Sequence, residues 1–229
     1  HGLKFDPFRM SPEGVFSVPP KTLPKAWGEL AIERVKAVRD AVGSLNIFID
    51  AHASLAVCDA VKWGLKLQEL DVAFYEEPVV SYNPEETLEV KRRLNVPIAG
   101  GERLYCKQDF FPFISQRAYD VIQPDICLAG GFTGLQEIAT IANAKEIFIQ
   151  PHNCAGPISS AASVHFDMAT SNLLIQEWFP YWEDNRYQYI EGAYEPLTKK
   201  GTITPPNLPG MGIKLAYEKL KRFKCIEIK

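Results

Sequence analysis

Three acidic residues recur at one interval. Asp50 ends the run IFID, Glu76 ends VAFYE and Glu102 ends PIAGGE, each 26 residues after the one before. If each run is a parallel strand and each interval one strand–helix unit, the three carboxylates stand at equal height on neighbouring strands and converge. Convergent carboxylates repel one another unless a cation lies among them. An oxygen-only donor set suits hard Mg²⁺, with water and substrate oxygens completing the octahedron. The plainer reading, three unrelated surface acids at strand ends, leaves the equal spacing unexplained.

Two histidines join the same end of the strands. His52 lies two residues after Asp50, and His152 follows the run IFIQP. Asp125 ends VIQPD one unit before His152, where it can hydrogen-bond the imidazole and fix its tautomer and basicity. Glu177 ends LLIQE one unit later. His152, with an acid on each neighbouring strand, reads as an acid–base residue. His52 reads either as a second one or as a supporting partner. His165, inside SSAASVHFDMA, and His1, at the terminus, read as structural. Lys4 could balance charge on a substrate carboxylate or could simply be solvated.

The elements that must position these residues alternate strictly. Short apolar runs at 2–6, 46–52, 72–77, 97–102, 121–126, 147–151 and 173–178 end in polar residues, as parallel strands covered on both faces do. Helical stripes lie between them. Ala31, Val35, Val38 and Val42 form one, with Gly43 as its cap, and Leu55, Cys58, Val61 and Leu65 form another. Asn83-Pro84-Glu85-Glu86 opens a third helix, and Thr133 with Gln136 reads as a capping box. Repetition at about 25 residues per unit predicts an α/β barrel over residues 1–211 and a closing segment over 212–229, with a last short helix at 212–224. Residues 7–27, with five prolines, predict a long loop at the mouth.

Composition narrows the classes. The chain has 229 residues, 46% of them hydrophobic, and a net charge of −3, which offers no basic surface for nucleic acid or an anionic membrane. No apolar stretch approaches the ~20 residues of a spanning helix, and the opening HGLKFDPF has no leader pattern. Cys58, Cys106, Cys127, Cys154 and Cys225 are odd in number and lack CxxC pairing, so buried or idle thiols in a reducing cytoplasm are expected.

The motifs LKFDP, IDAH, YEEP, GGERLY, QPDICLAGG, QPHNCAGPIS, LLIQE and PNLPGMGIKL, in that order, cover nearly the whole chain. In this order they resemble the mandelate racemase branch of the enolase superfamily, and most closely its galactonate-dehydratase-like acid-sugar dehydratases. The resemblance implies a (β/α)₇β barrel of TIM type whose metal ligands are Asp50, Glu76 and Glu102. It implies Asp125–His152 as the acid–base dyad and Glu177 as a group holding the substrate or the enolate oxygen.

Racemases of this kind usually carry Lys-x-Lys where this chain has Lys4-Phe5-Asp6, and the dehydratases place a histidine as in Asp50-Ala51-His52. Dehydration is therefore favoured over racemisation, with Lys4 and Asp6 as substrate-binding candidates. The expected reaction is Mg²⁺-dependent loss of water from a sugar acid, giving a 2-keto-3-deoxy acid through an enediolate. An epimerase, and a non-catalytic barrel fragment, are the competing readings. The family's N-terminal capping domain and first barrel strand have no counterpart here, so the chain reads as a piece of a longer polypeptide. A small-molecule sugar-acid partner and a homo-oligomer are the remaining expectations.

Overall fold

The computed structural model describes residues 2–179, 187–224 and 226. Its centre is a six-stranded parallel sheet in strict chain order: β1 (Gly2–Phe5), β2 (Asn46–Asp50), β3 (Phe74–Glu76), β4 (Ile98–Gly100), β5 (Val121–Ile122) and β6 (Phe148–Ile149). The crossovers are α1 (Lys25–Val42), α2 (Val57–Glu69), α3 (Pro84–Lys91), α4 (Lys107–Ser115) and α5 (Gly131–Asn143), and α6 (Pro157–Met168) follows β6. Unbroken neighbour order with a helix in every crossover is the winding of a (β/α) barrel.

Alternation along the strands divides the core into two layers. Ile47, Ile49, Tyr75, Ile98, Ile122 and Ile149 join the large cluster that includes the buried helix residues Ala31, Val35, Leu67, Val90 and Leu135. Phe48, Phe74, Ala99 and Val121 form a separate cluster on the opposite face. Register links this inner layer strand to strand, since Phe48 pairs with Phe74 and Ala99 with Val121. The Phe48 and Phe74 ring centroids stand 4.5 Å apart. Successive side chains alternate faces, so Asp50 and Glu76, two residues beyond those rings, lie on the same inner face one pleat higher.

The helices follow their sequences with instructive exceptions. Helix α1 buries Ala31 and Val35 with Val38 and Val42 partly covered, and Gly43 closes it at a φ of 61°. It starts at Lys25, inside the stretch expected to be loop. Gly28 makes the close approach of α1 to α2 possible, because a Cβ there would fall 1.9 Å from the Trp63 ring. The stripe expected in the second helix is displaced. α2 begins at Val57, buries Ala60, Val61, Trp63, Gly64 and Leu67, and leaves Cys58 and Leu65 exposed. Asn83 caps α3 as read, accepting from the Glu85 N–H at 3.2 Å. The capping box at Thr133 is wrong: α5 starts at Gly131 on a left-handed Gly130, placing Thr133 within the helix.

The expected seventh strand is reduced to a bridge. The Ile149 N–H donates to Asn172 O at 3.0 Å and the Leu174 N–H to Ile149 O at 2.9 Å. Beyond Leu174, side chains capture the backbone instead: the Glu177 carbonyl accepts from Asn153 Nδ2 and from Gln176 Nε2. After the undescribed residues 180–186, β7 (Ile190–Glu191) pairs antiparallel with β8 (Lys214–Leu215), which draws the start of the closing segment back onto this region. A short α7 (Tyr217–Leu220) stands within the expected 212–224 helix. Among the described residues no helix is long and apolar enough to cross a membrane. Cys58, Cys106 and Cys127 are exposed free thiols rather than buried ones, Cys154 is free and half-buried, and Cys225 lies outside the described residues.

Asp167 on α6 is a buried acid whose carboxylate oxygens have no hydrogen-bond partner. Burial pushes its carboxyl up to about 8. The fold therefore prefers the protonated form. This contribution is complete below the ordinary value of 3.8 and is lost as pH rises through about 8. Denaturant unfolding at pH 5 and pH 8 should show Asp167→Asn gaining stability over the natural chain at the higher pH and little at the lower. An equal effect at both would contradict this.

Candidate metal and acid–base centre

Asp50 and Glu76 are direct register partners at the ends of β2 and β3. Glu102 follows β4 after Gly101, whose φ of 130° and approach to Phe110 admit only glycine comfortably. One oxygen from each of the three carboxylates lies within 4.8 Å of the other two. Asp50 and Glu76 are buried. The amine of Lys4 reaches into the group from β1, 2.9 Å from both Glu76 oxygens and 3.5 Å from Asp50, and pairs also with Glu177.

Each histidine is held by an aspartate through Nδ1, with Nε2 turned toward the carboxylates. His152 Nδ1 lies 2.7 Å from Asp125 and its Nε2 3.4 Å from Glu102. His52 Nδ1 lies 2.7 Å from Asp6 and its Nε2 3.4 Å from Asp50. Asp6, read as a substrate-binding candidate, is already engaged on both oxygens. Oδ1 accepts from the Phe8 and Arg9 N–H groups, and Oδ2 meets His52 and Arg9 Nε. Glu177 accepts from the Asn153 N–H at 2.8 Å. His165 stands away from this cluster, its Nε2 3.1 Å from the Tyr194 hydroxyl, which fits its structural reading; His1 lies outside the described residues.

The backbone is strained where it delivers these groups. His52, Ala53 and Glu77 hold φ of 46°, 54° and 39°, a region unusual for residues with a Cβ. The strain is held by neighbours: the His52 N–H donates to Asp50 Oδ1 at 2.9 Å, the Ala53 N–H to Glu77 O at 2.8 Å, and Lys21 caps Ala53 O.

Burial alone would lower the Lys4 ammonium, but Glu76, Glu177 and Asp50 hold it well above its ordinary value. Burial, with Asp50 and Glu177 adding to it, raises Glu76 well above the carboxylate range against the opposing pull of Lys4. His152 is desolvated, which opposes its charge, yet bonds with Asp125 and Cys154 and the nearby Glu177 and Glu102 push it up to about 11. For His52, burial is likewise overcome by Asp6, Asp50 and Glu102. Lys4 and the two imidazoles thus face several acids, and the three carboxylates offer the oxygen-only donor set that a hard divalent cation takes.

Two residues that the reading of strand ends did not single out complete the centre. Glu77 is fully buried, and burial together with Glu102 raises its carboxyl to about 7 against the pull of Arg103. Arg103 Nε meets Glu77 at 2.8 Å, while Nη2 meets Glu102 at 3.1 Å. Both lie within the quoted motifs YEEP and GGERLY, and adjacency to a candidate ligand is the signal that could have found them.

Residues 2–219 match the family model described as Enolase C-terminal domain-like. The chain belongs to this family. A D-gluconate/D-galactonate dehydratase of Picrophilus torridus is 32% identical over 96% of this chain and 56% of its own length. A D-galactarolactone cycloisomerase of Agrobacterium fabrum is 30% identical over 83% of this chain and 52% of its own. A crystal structure of an enolase superfamily member from Salmonella Typhimurium superimposes with a TM-score of 0.94 at 34% identity, covering 100% of this chain and 59% of that one. Other relatives are named galactonate and arabinonate dehydratase. The chain spans about half the length of the curated relatives it matches.

In this enolase-family barrel Arg103 pairs with Glu102 at 3.1 Å, and outer-shell partners of metal ligands typically contribute about 10–100-fold to affinity. Calorimetric titration with Mn²⁺ should show Arg103→Lys binding weakened by about that factor. Unchanged affinity would mean that Glu102 is placed without its help.

Proposed function

We propose that the polypeptide carrying this barrel dehydrates a sugar acid of the aldonate class, using Mg²⁺ held by Asp50, Glu76 and Glu102. The observation that carries this reading is the pair of Asp–His dyads, Asp125–His152 and Asp6–His52, whose Nε2 atoms face the three-carboxylate cluster from different strands. A divalent cation bound there would stabilise the charge that moves from C2 onto the substrate carboxylate, and would offset the carboxylate field that now raises His152.

The chain's own residues divide the proton work. His152, fixed by Asp125, removes the C2 proton through Nε2. His52 holds a proton readily, because Asp6 and the nearby acids favour its charged form, and it delivers that proton to the departing C3 hydroxyl. Water leaves, and the resulting enol tautomerises to a 2-keto-3-deoxy acid. Lys4 and Glu177 flank the path and can bind the substrate's carboxylate end and a hydroxyl. The names of the dehydratase relatives support this class. An epimerase would use the same two histidines on opposite faces of C2, and only dehydration yields a keto acid.

With aldonic acids and Mg²⁺, on this chain and on the same barrel joined to a relative's capping domain, the test has two readouts. His152→Asn should lower exchange of the C2 proton with solvent by roughly 10²–10⁴-fold. His52→Asn should retain exchange yet form no 2-keto-3-deoxy product. Exchange at the natural rate in both variants would overturn the assignment.

A further inference from the structure

A second group of metal-ligating atoms lies beside the three carboxylates, and its chemistry differs. His152, Cys154 and Glu177 each offer one donor atom, all within 4.8 Å of one another. The set is one nitrogen, one sulfur and one oxygen. Cys154 is a free, half-buried thiol and Glu177 is buried.

The group is tied together locally. His152 and Cys154 flank Asn153, whose N–H donates to Glu177 Oε2 at 2.8 Å and whose Nδ2 donates to the Glu177 carbonyl at 3.3 Å. The loop that bears two of the donors is thereby fastened to the third. The imidazole is also set correctly. Asp125 holds Nδ1 at 2.7 Å, which leaves Nε2 for a metal, and a carboxylate on the far nitrogen is the usual support of a metal-bound histidine.

We propose that His152, Cys154 and Glu177 form a site for a borderline-soft divalent cation of the zinc class, separate from the hard-cation site at Asp50, Glu76 and Glu102. Thiolate and imidazole donors select Zn²⁺ or Co²⁺ over Mg²⁺, and three protein donors leave a fourth tetrahedral position for water. Binding releases the thiol proton, and any proton on Nε2, to solvent. The consequence for activity rests on the reading above: a cation on Nε2 takes the lone pair that would accept the C2 proton, so the site inhibits. Binding itself does not depend on that reading.

Co²⁺ is the probe, because a thiolate–Co²⁺ bond gives a charge-transfer absorption that oxygen and nitrogen ligands do not. The full chain, saturated with Mg²⁺, should show this band rising to one Co²⁺ per chain. Cys58, Cys106 and Cys127 are exposed, so Cys154→Ser is the deciding comparison. It should lose the band while binding of Mn²⁺ alone, followed by calorimetry, is unchanged. No band in the natural chain, or an equal band in Cys154→Ser, overturns the proposal. Loss of Mn²⁺ binding in Cys154→Ser also overturns it, since the two sites would then be one. Should the band behave as expected while Zn²⁺ leaves C2 proton exchange untouched, the site stands and the assignment of His152 as the base falls.

Discussion

Asp50 and Glu76 face each other across a parallel ladder, and the pleat that buries Phe48 and Phe74 beneath them leaves them no other direction to point. Two carboxylates so placed repel by an energy on the order of a few kcal/mol at the effective dielectric of a protein interior. Glu102 and Glu177 add to the same field. Lys4 answers it with a single positive charge, reaching Asp50, Glu76 and Glu177 at once. The rest of the centre is arranged around this excess of negative charge. Arg103 is engaged by Glu77 and Glu102, and both imidazoles turn Nε2 toward a carboxylate of the cluster.

The fold places the two Asp–His dyads by different routes. Asp125 and His152 come from successive units and meet as an isolated parallel bridge past the ends of β5 and β6. Asp6 and His52 follow the ends of β1 and β2, and here the backbone bends through left-handed conformations at His52 and Ala53. Such strain persists only where neighbouring bonds over-determine it. The Asp50 side chain, the Glu77 carbonyl and Lys21 all contribute at this turn. Asp6 is itself fixed by the Phe8 and Arg9 amides, so the loop after β1 orients a histidine in the turn after the next strand.

Much of this was legible from residue type and interval. Equal spacing of Asp50, Glu76 and Glu102 is a direct image of the strand–helix repeat, and the structure brings their oxygens together. The pairing of Asp125 with His152 followed from the same logic. The role of Asp6 did not, because its partner is 46 residues away and reaches it through a turn no propensity encodes. Arg103 and Glu77 were hidden by standing next to stronger signals. Local patterns failed where tertiary packing overrode them. The stripe through Cys58 and Leu65 lost to the face that seats Trp63 against Gly28. The strand read at 173–178 stopped at a bridge because Asn153 and Gln176 bind its backbone.

The chemistry proposed for this centre requires one hard cation among the three carboxylates. Anomalous diffraction from crystals of this chain soaked in Mn²⁺ tests it directly. A single peak bonded at about 2.0–2.6 Å to one oxygen each of Asp50, Glu76 and Glu102 is the predicted result. A peak elsewhere, or none at those residues with Lys4 still filling the space between them, would contradict it.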